Sequence, residues 1–248
     1  MTLGPGDTAL LALAIAFAGF VDSIAGGGGL VTLPAYMAAG VPPGLVLGTN
    51  KVSSFMGTAV ACFKFRGELR MSLSSVLRIC SVAFAGSLLG AWLATLMNPS
   101  FLRVILLFAL PCVGYVVLVK GLHDGRVGSV GGKAHAIAGA IGTYDGFFGP
   151  GTGTFYAILL TRVGGLGIVR ATALSKYLNL ASNVSALVFF VSCGRADVHT
   201  GVLMGLAGMA GNWLGAHTAI KRGVAVIKPV VALVCAGLLA KVAWDIFH

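Results

Sequence analysis

Few side chains in this 248-residue sequence can do chemistry inside the apolar runs that make up most of it. Of seven acids, only Asp22 and Asp145 lie deep in apolar sequence, and of seventeen bases, only Lys51 and Lys176 do. Asp22 stands in AGFVDSIAGGGGLVTL, just before Gly26, Gly27, Gly28 and Gly29. Asp145 stands in GTYDGFFGPGTG, just before Gly149, Gly151 and Gly153. Lys51 and Lys176 follow in TNKVSSFMGTAV and LSKYLNLASNVSALV. An ionisable group in an apolar segment is costly to insert and is functional by default. A buried carboxyl has its pKa raised and can carry a proton. A glycine break before a short helix frees backbone N–H groups at a helix N-terminus, which is an anion site. Two such N-termini with two lysines suit a small anion.

Polar neighbours accompany each lysine: Thr49, Asn50, Ser53, Ser54 and Thr58 in one stretch, Ser175, Asn179, Ser182 and Asn183 in the other. The sequence leaves a second reading open. The hydroxyls and amides can serve interhelical hydrogen bonds, and an Asp–Lys pair can lock helices together, with one repeat supplying both partners. A carboxylate paired in that way stays ionised.

The elements that hold these residues are membrane helices. The chain is 57% hydrophobic and only 10% charged, whereas soluble domains carry about 25% charged residues. Mean hydropathy is +0.96. Apolar runs recur near the ~20 residues that span a ~30 Å hydrocarbon core. Continuous apolar runs exclude a barrel, whose strands alternate, so the backbone is satisfied as helices. The predicted helices cover about 8–25, 29–40, 46–65, 73–97 and 101–120, then 133–148, 152–163, 168–192, 198–220 and 224–247. Asp7 and Thr8 are expected to cap the first. With no Lys or Arg before that apolar run, a cleaved signal peptide is not expected.

The two chemistry-bearing stretches are copies of one unit. Asp22 falls on Asp145, Gly26 on Gly149 and Gly28 on Gly151 at an offset of 123. Lys51 falls on Lys176, and GSLLGAWLA (86–94) on GNWLGAHTA (211–219), at 125. Four features in one order at a near-constant offset make an internal repeat. The repeats are assigned as 1–125 and 126–248, together one transport domain, with the boundary in KGLHDGRVGSVGGK (120–133). In each, the segment after the glycine break has about ten residues, or ~15 Å, half the core thickness. A re-entrant pair is therefore expected.

Charge supports re-entry. If each pair returns to its own side, Lys64, Arg66, Arg70, Arg78, Lys120, Arg126, Lys133, Arg162, Arg170, Lys221, Arg222 and Lys228 share one face. Arg103, Arg195 and Lys241 lie on the other. If each pair crosses once, the split is far more even. The positive-inside rule selects the first arrangement, with both termini outside. Each repeat then crosses an odd number of times, so the two are inverted, and inverted repeats with matching broken helices are a transporter signature.

The net charge of +10 is thus topological, and nucleic acid is not an expected partner. Cys62, Cys80, Cys112, Cys193 and Cys235 form no CxxC pair and read as small buried hydrophobes. The five histidines have no ligand spacing, so no metal or other cofactor is expected. The GxxxG patterns at 86–90 and 211–215 indicate close helix packing, and exposed faces of that kind allow a homodimer. Trp92, Trp213 and Trp244 read as interfacial anchors.

GFVDSIAGGGGLVTLPA followed by LGTNK resembles the first repeat of the sulfite exporter TauE/SafE family. GTYDGFFGPGTGTF followed by RATALSK and LNLASN resembles its second. The resemblance spans nearly the whole chain. It implies a multi-pass carrier of the bacterial inner membrane for small sulfur-containing anions such as sulfite, sulfoacetate or other organosulfonates. The matching positions are Asp22, Gly26 to Gly29, Asn50 and Lys51, then Asp145, Gly149, Gly151, Gly153, Lys176, Asn179 and Asn183. The expected transporter exports its anion through a site built from these residues and Ser54, with Asp22 or Asp145 as the proton-coupling group. The alternative is a cation-coupled carrier or channel that uses the Asp22/Asp145 pair. An enzyme is not expected: no Ser/His/Asp arrangement occurs, and GGGG lacks the GK[ST] ending of a phosphate loop.

Overall fold

The computed structural model describes residues 4–96 and 132–223, with 225–227, 229, 230 and 233. The expected helix 101–120, most of 224–247 and residues 120–131 of the repeat boundary lie outside the described residues. So do Arg103, Lys120, Arg126, Lys228, Lys241, Cys112, Cys235, His123, His248 and Trp244.

The described residues form helices and no strands. The first repeat contributes α1 (Pro5–Ala25), α2 (Gly29–Ala38), α3 (Pro43–Phe65) and α4 (Leu73–Leu96). The second contributes α5 (Gly132–Phe147), α6 (Thr152–Arg162), α7 (Ile168–Ser192) and α8 (Val198–Arg222). Helices α1, α4 and α7 are long and apolar enough to cross a membrane. Helices α2 and α6 have 10 and 11 residues, so each reaches only about half way.

Local chemistry sets the boundaries. Pro5 and Pro43 start α1 and α3, because proline at the first helical position loses no hydrogen bond and is preset in φ. Both helices thus begin three residues before the apolar pattern suggests. Asp7 and Thr8 are not caps: Gly4 is the N-cap, and Thr8 Oγ1 donates back to Gly4 O at 2.9 Å. Asp197 is a true N-cap, accepting from Thr200 N–H at 3.0 Å and Thr200 Oγ1 at 2.7 Å. Gly26 ends α1 at φ 83° and its repeat partner Gly149 has φ 99°, a left-handed backbone open to glycine without strain.

Residue contacts fix helix directions. Along α1 and α8, Ile15 meets Gly208, Ala16 meets Gly211 and Phe20 meets Gly215, so the two run parallel. Val52 meets Gly201 and Met56 meets Gly205, so α3 is parallel to α8 as well. Ala83 meets Gly142, Ser87 meets Gly146 and Gly90 meets Phe147, so α4 and α5 are parallel. The equivalent helices α3 and α7 cross antiparallel: Tyr177 OH donates to Cys62 O, while Asn183 meets Thr58 and Lys51. Arg170 Nη2 donates to Arg70 O, which sets the starts of α7 and α4 at one end. Because α1 and α3 run the same way, α2 must bring the chain back between them.

Packing repeats with the sequence. Among the described residues, the first helix of each half lies on the last long helix of the other, α1 on α8 and α5 on α4, while α3 and α7 cross at the centre. One apolar core runs through both halves, from Ile24 and Phe65 to Leu174 and Ile227. The GxxxG glycines make these close approaches. Gly86 faces Gly139 O and Gly90 faces Thr143 on α5, and Gly211 and Gly215 face Ala16 and Phe20 on α1. They are used inside the protomer, so they are not the exposed faces that would allow a homodimer.

The basic residues separate along these directions. Lys64, Arg66, Arg70, Arg78, Lys133, Arg162, Arg170, Lys221 and Arg222 lie where α3, α6 and α8 end and α4, α5 and α7 begin. Arg195, between α7 and α8, lies at the opposite end. Exposed Leu10, Leu13, Phe17, Leu77, Leu88 and Leu206 give the outer surface an apolar character. Trp92 is exposed near the end of α4, but Trp213 sits within α8, with Lys64 Nζ 3.4 Å from its ring centroid. Cys62 is buried and Cys80 half-buried, whereas Cys193 is exposed at the end of α7, contrary to the reading of it as a buried hydrophobe.

Candidate functional site

The two glycine breaks touch. Gly26 packs against Gly153 so closely that a Cβ on Gly153 would come within 2.6 Å of Gly26 Cα, and one on Gly29 would come 3.0 Å from Pro150. Thr154 Oγ1 donates to Ala25 O at 2.5 Å across the same junction. Only glycine permits such an approach. The short helices α2 and α6 therefore start beside each other, in the interior.

Lys51 and Lys176 are each the ninth residue of their helix, α3 and α7. Both reach across to the other repeat. Lys51 Nζ lies 2.9 Å from Asp145 Oδ1, and Lys176 Nζ lies 3.4 Å from Asp22 Oδ2. No repeat supplies both partners of a pair. The two pairs differ in their surroundings. Asp145 also accepts from Thr152 Oγ1 at 2.8 Å and Ser182 Oγ at 2.5 Å, and Lys51 also donates to Asn183 Oδ1 at 3.1 Å. Asp22 accepts from the Gly28 N–H at 3.3 Å, and Lys176 also donates to the Asp22 carbonyl. The Lys51, Asp145 and Lys176 side chains are 3%, 2% and 0% exposed, against 17% for Asp22.

Between the pairs is a cavity of 40 Å³. Of the sequence-predicted residues, Asp22, Gly26, Gly28, Gly29, Asn50, Lys51, Ser54, Asp145, Gly149, Gly153, Asn179 and Asn183 line it. Gly27, Gly151 and Lys176 do not. Gly151 is the left-handed N-cap of α6, and Lys176 is pinned behind Asp22. The predicted free N–H at Gly28 is already engaged by Asp22.

Sequence reasoning did not single out Thr32, Thr152 and Asn212, which also line the cavity. Thr32 Oγ1 donates to Asn50 Oδ1 at 2.6 Å, and below it Tyr36 OH donates to Ser53 Oγ at 2.8 Å. Asn212 accepts from Ser23 Oγ at 2.7 Å and donates to Gly208 O at 2.9 Å. One signal could have found Asn212: it is the polar residue inside GNWLG, at the position where GSLLG has Ser87. The wall thus offers amides, hydroxyls and one lysine to a small polar guest. An apolar cluster that includes Ile15, Leu33, Tyr36, Val46 and Met204 packs on the α2 side. Among the described residues, no three His, Cys, Asp or Glu side chains gather as a metal centre would require.

A family profile described as sulfite exporter TauE/SafE matches residues 11–242. The chain is 36% identical to "Probable membrane transporter protein ORF9" of a Sinorhizobium species, over 97% of this chain and 94% of that protein. It is 37% identical to "Probable membrane transporter protein YfcA" of Escherichia coli, over 92% and 86%. A "Probable membrane transporter protein" of Haemophilus influenzae shares 30% identity, over 92% and 91%. No solved structure matches. An all-helical fold of apolar spans, a polar cavity where two broken helices meet and a match over nearly the whole length make this chain a membrane transporter, and no enzyme, of the TauE/SafE sulfite exporter family.

Proposed function

We propose that this transporter moves small sulfur-containing anions, sulfite, sulfoacetate or related organosulfonates, and exports them with proton coupling. The observation that carries this reading is the cavity at the crossing of the two glycine breaks, with Lys51 and a wall of amides and hydroxyls around it. One water occupies about 10–15 Å³ on this measure, so 40 Å³ holds roughly three. That is room for an anion of about four or five heavy atoms, nearer to sulfite than to a longer organosulfonate. Lys51 would bind the anion directly. Lys176 would act on it through Asp22.

The repeats, 1–125 and 126–248, form one transport unit with inverted topology in this reading. The antiparallel crossing of α3 and α7 supports it. The basic end of the helices faces the cytoplasm and the N-terminus lies outside, in the bacterial inner membrane, as the segregation of Lys and Arg favours.

Thermal stability of the purified protein tests the substrate class. Wild type, Lys51→Met and Lys176→Met are compared with sulfite, sulfoacetate, taurine, sulfate, chloride and sodium. A ligand at 100 times its Kd stabilises by about 2.7 kcal/mol. The expected result is stabilisation by a sulfur anion that Lys51→Met abolishes. The two carboxylates on the same cavity favour a second reading, a cation-coupled carrier or channel. Stabilisation by sodium and by no anion would select it.

A further inference from the structure

The two repeat-related carboxylates have diverged. Thr152 stands where the first repeat has Gly29, and Ser182 stands where it has Gly57. Ser182 Oγ donates to Asp145 at 2.5 Å and Thr152 Oγ1 lies 2.8 Å from it, sharing its proton with Gly149 O at 2.6 Å, beside Lys51 at 2.9 Å. In its carboxylate form Asp145 can accept from every one of these groups. Asp22 has no such hydroxyls, because glycine occupies both equivalent positions. Its contacts are longer, at 3.3 and 3.4 Å, and its side chain is the more open of the two.

We propose that Asp22 is the group that takes up one proton for each monovalent anion bound, while Asp145 stays ionised and positions Lys51. This rests on the anion-transport reading above. Two carboxylates and two ammonium groups make the site neutral when empty. A bound anion leaves it at minus one, and a proton on the Asp22 carboxylate restores neutrality. The proton comes from water on the side to which the site is open and is released with the anion on the other side. The pair therefore moves as a neutral unit, and its export is driven by the anion's own outward concentration gradient, not by the inward proton gradient. Lys176 keeps its place when Asp22 is protonated, because it also donates to the Asp22 main-chain carbonyl. Its positive charge then lies unpaired beside the cavity. The charged groups facing Asp22 are Lys176 on α7, Lys51 on α3 and Asp145 on α5; α2, α6 and α8 bring the neutral Thr32, Thr152 and Asn212.

The test uses methanesulfonate, whose single charge does not change across about pH 5 to 8, so that any pH dependence belongs to the protein. Affinity is read by melting shift in wild type, Asp22→Asn and Asp145→Asn. Wild type is expected to weaken by up to about tenfold per pH unit as pH rises. Asp22→Asn is expected to bind with no pH dependence, and Asp145→Asn, where it folds, to keep the slope. A slope retained in Asp22→Asn overturns the proposal, whether or not Asp145→Asn folds. If neither methanesulfonate nor sulfite shifts wild type at any pH, the anion reading itself fails. The assignment is then decided without ligand, by the infrared carboxylic-acid band that appears on acidification. Loss of that band in Asp22→Asn supports the assignment, and its persistence there refutes it.

Discussion

Removing Lys51 should expose how much the crossed ion pairs contribute to the fold. In wild type the Lys51–Asp145 pair is 2.9 Å long with both side chains at most 3% exposed. Truncation to methionine keeps the aliphatic length but leaves Asp145 buried as an uncompensated charge. Loss of one partner of a buried pair costs about 3–5 kcal/mol. Thr152 and Ser182 still donate to the carboxylate, so the lower end is expected. At about 2–4 °C per kcal/mol for a chain of this size, the melting temperature should fall by about 6–12 °C. Asp145→Asn in the same background removes the orphan charge and should restore much of the loss. The assay is a double-mutant cycle of thermal or denaturant unfolding in detergent, run in parallel on Lys176 and Asp22. The coupling energy should be larger for Lys51–Asp145 than for the longer, more open Lys176–Asp22 pair. Additive single and double mutants at Lys51 and Asp145, within about 0.5 kcal/mol, would refute the view that the two halves are tied through this pair.

Gly153→Ala places a methyl 2.6 Å from Gly26 Cα, and overpacking of that kind costs about 1–3 kcal/mol. Melting of the variant measures it, and ligand stabilisation should fall with it, since both glycines line the cavity. Gly90→Leu should destabilise the protein by separating α4 from α5, with no change in oligomeric state by light scattering, because Gly90 packs within the protomer. Asp197→Ala should cost about 1 kcal/mol near neutral pH. Burial raises the Asp197 pKa, but the Thr200 hydrogen bonds outweigh it and leave the carboxyl below its ordinary value. The cap is therefore fully effective above about pH 4 and is lost as pH falls through the lower folded-state value. Melting curves of the two proteins should converge in acid.

The sequence by itself determined the class of molecule and the identity of its unusual residues. Composition required membrane helices, since apolar runs of that length leave no other way to satisfy the backbone. The offset repeat picked out Asp22, Asp145, Lys51 and Lys176 together, and the glycine breaks marked where the backbone must come close. These features are local or periodic, so they can be read along the chain. Partner choice is neither. That Lys51 pairs with Asp145 and Lys176 with Asp22 follows from the antiparallel crossing of α3 and α7, which brings each lysine to the other repeat. Only the folded structure shows that Lys51 faces the cavity while Lys176 lies behind Asp22, although their sequence surroundings match. Thr32 and Asn212 were hidden because a lone polar residue in an apolar helix has no periodic signature, and only packing shows which face it takes. The divergence of Asp22 from Asp145 depended on residues 7 and 37 positions from Asp145. Their significance as hydroxyl donors appears once the chain has folded them onto one carboxylate and left glycine at the matching positions around the other.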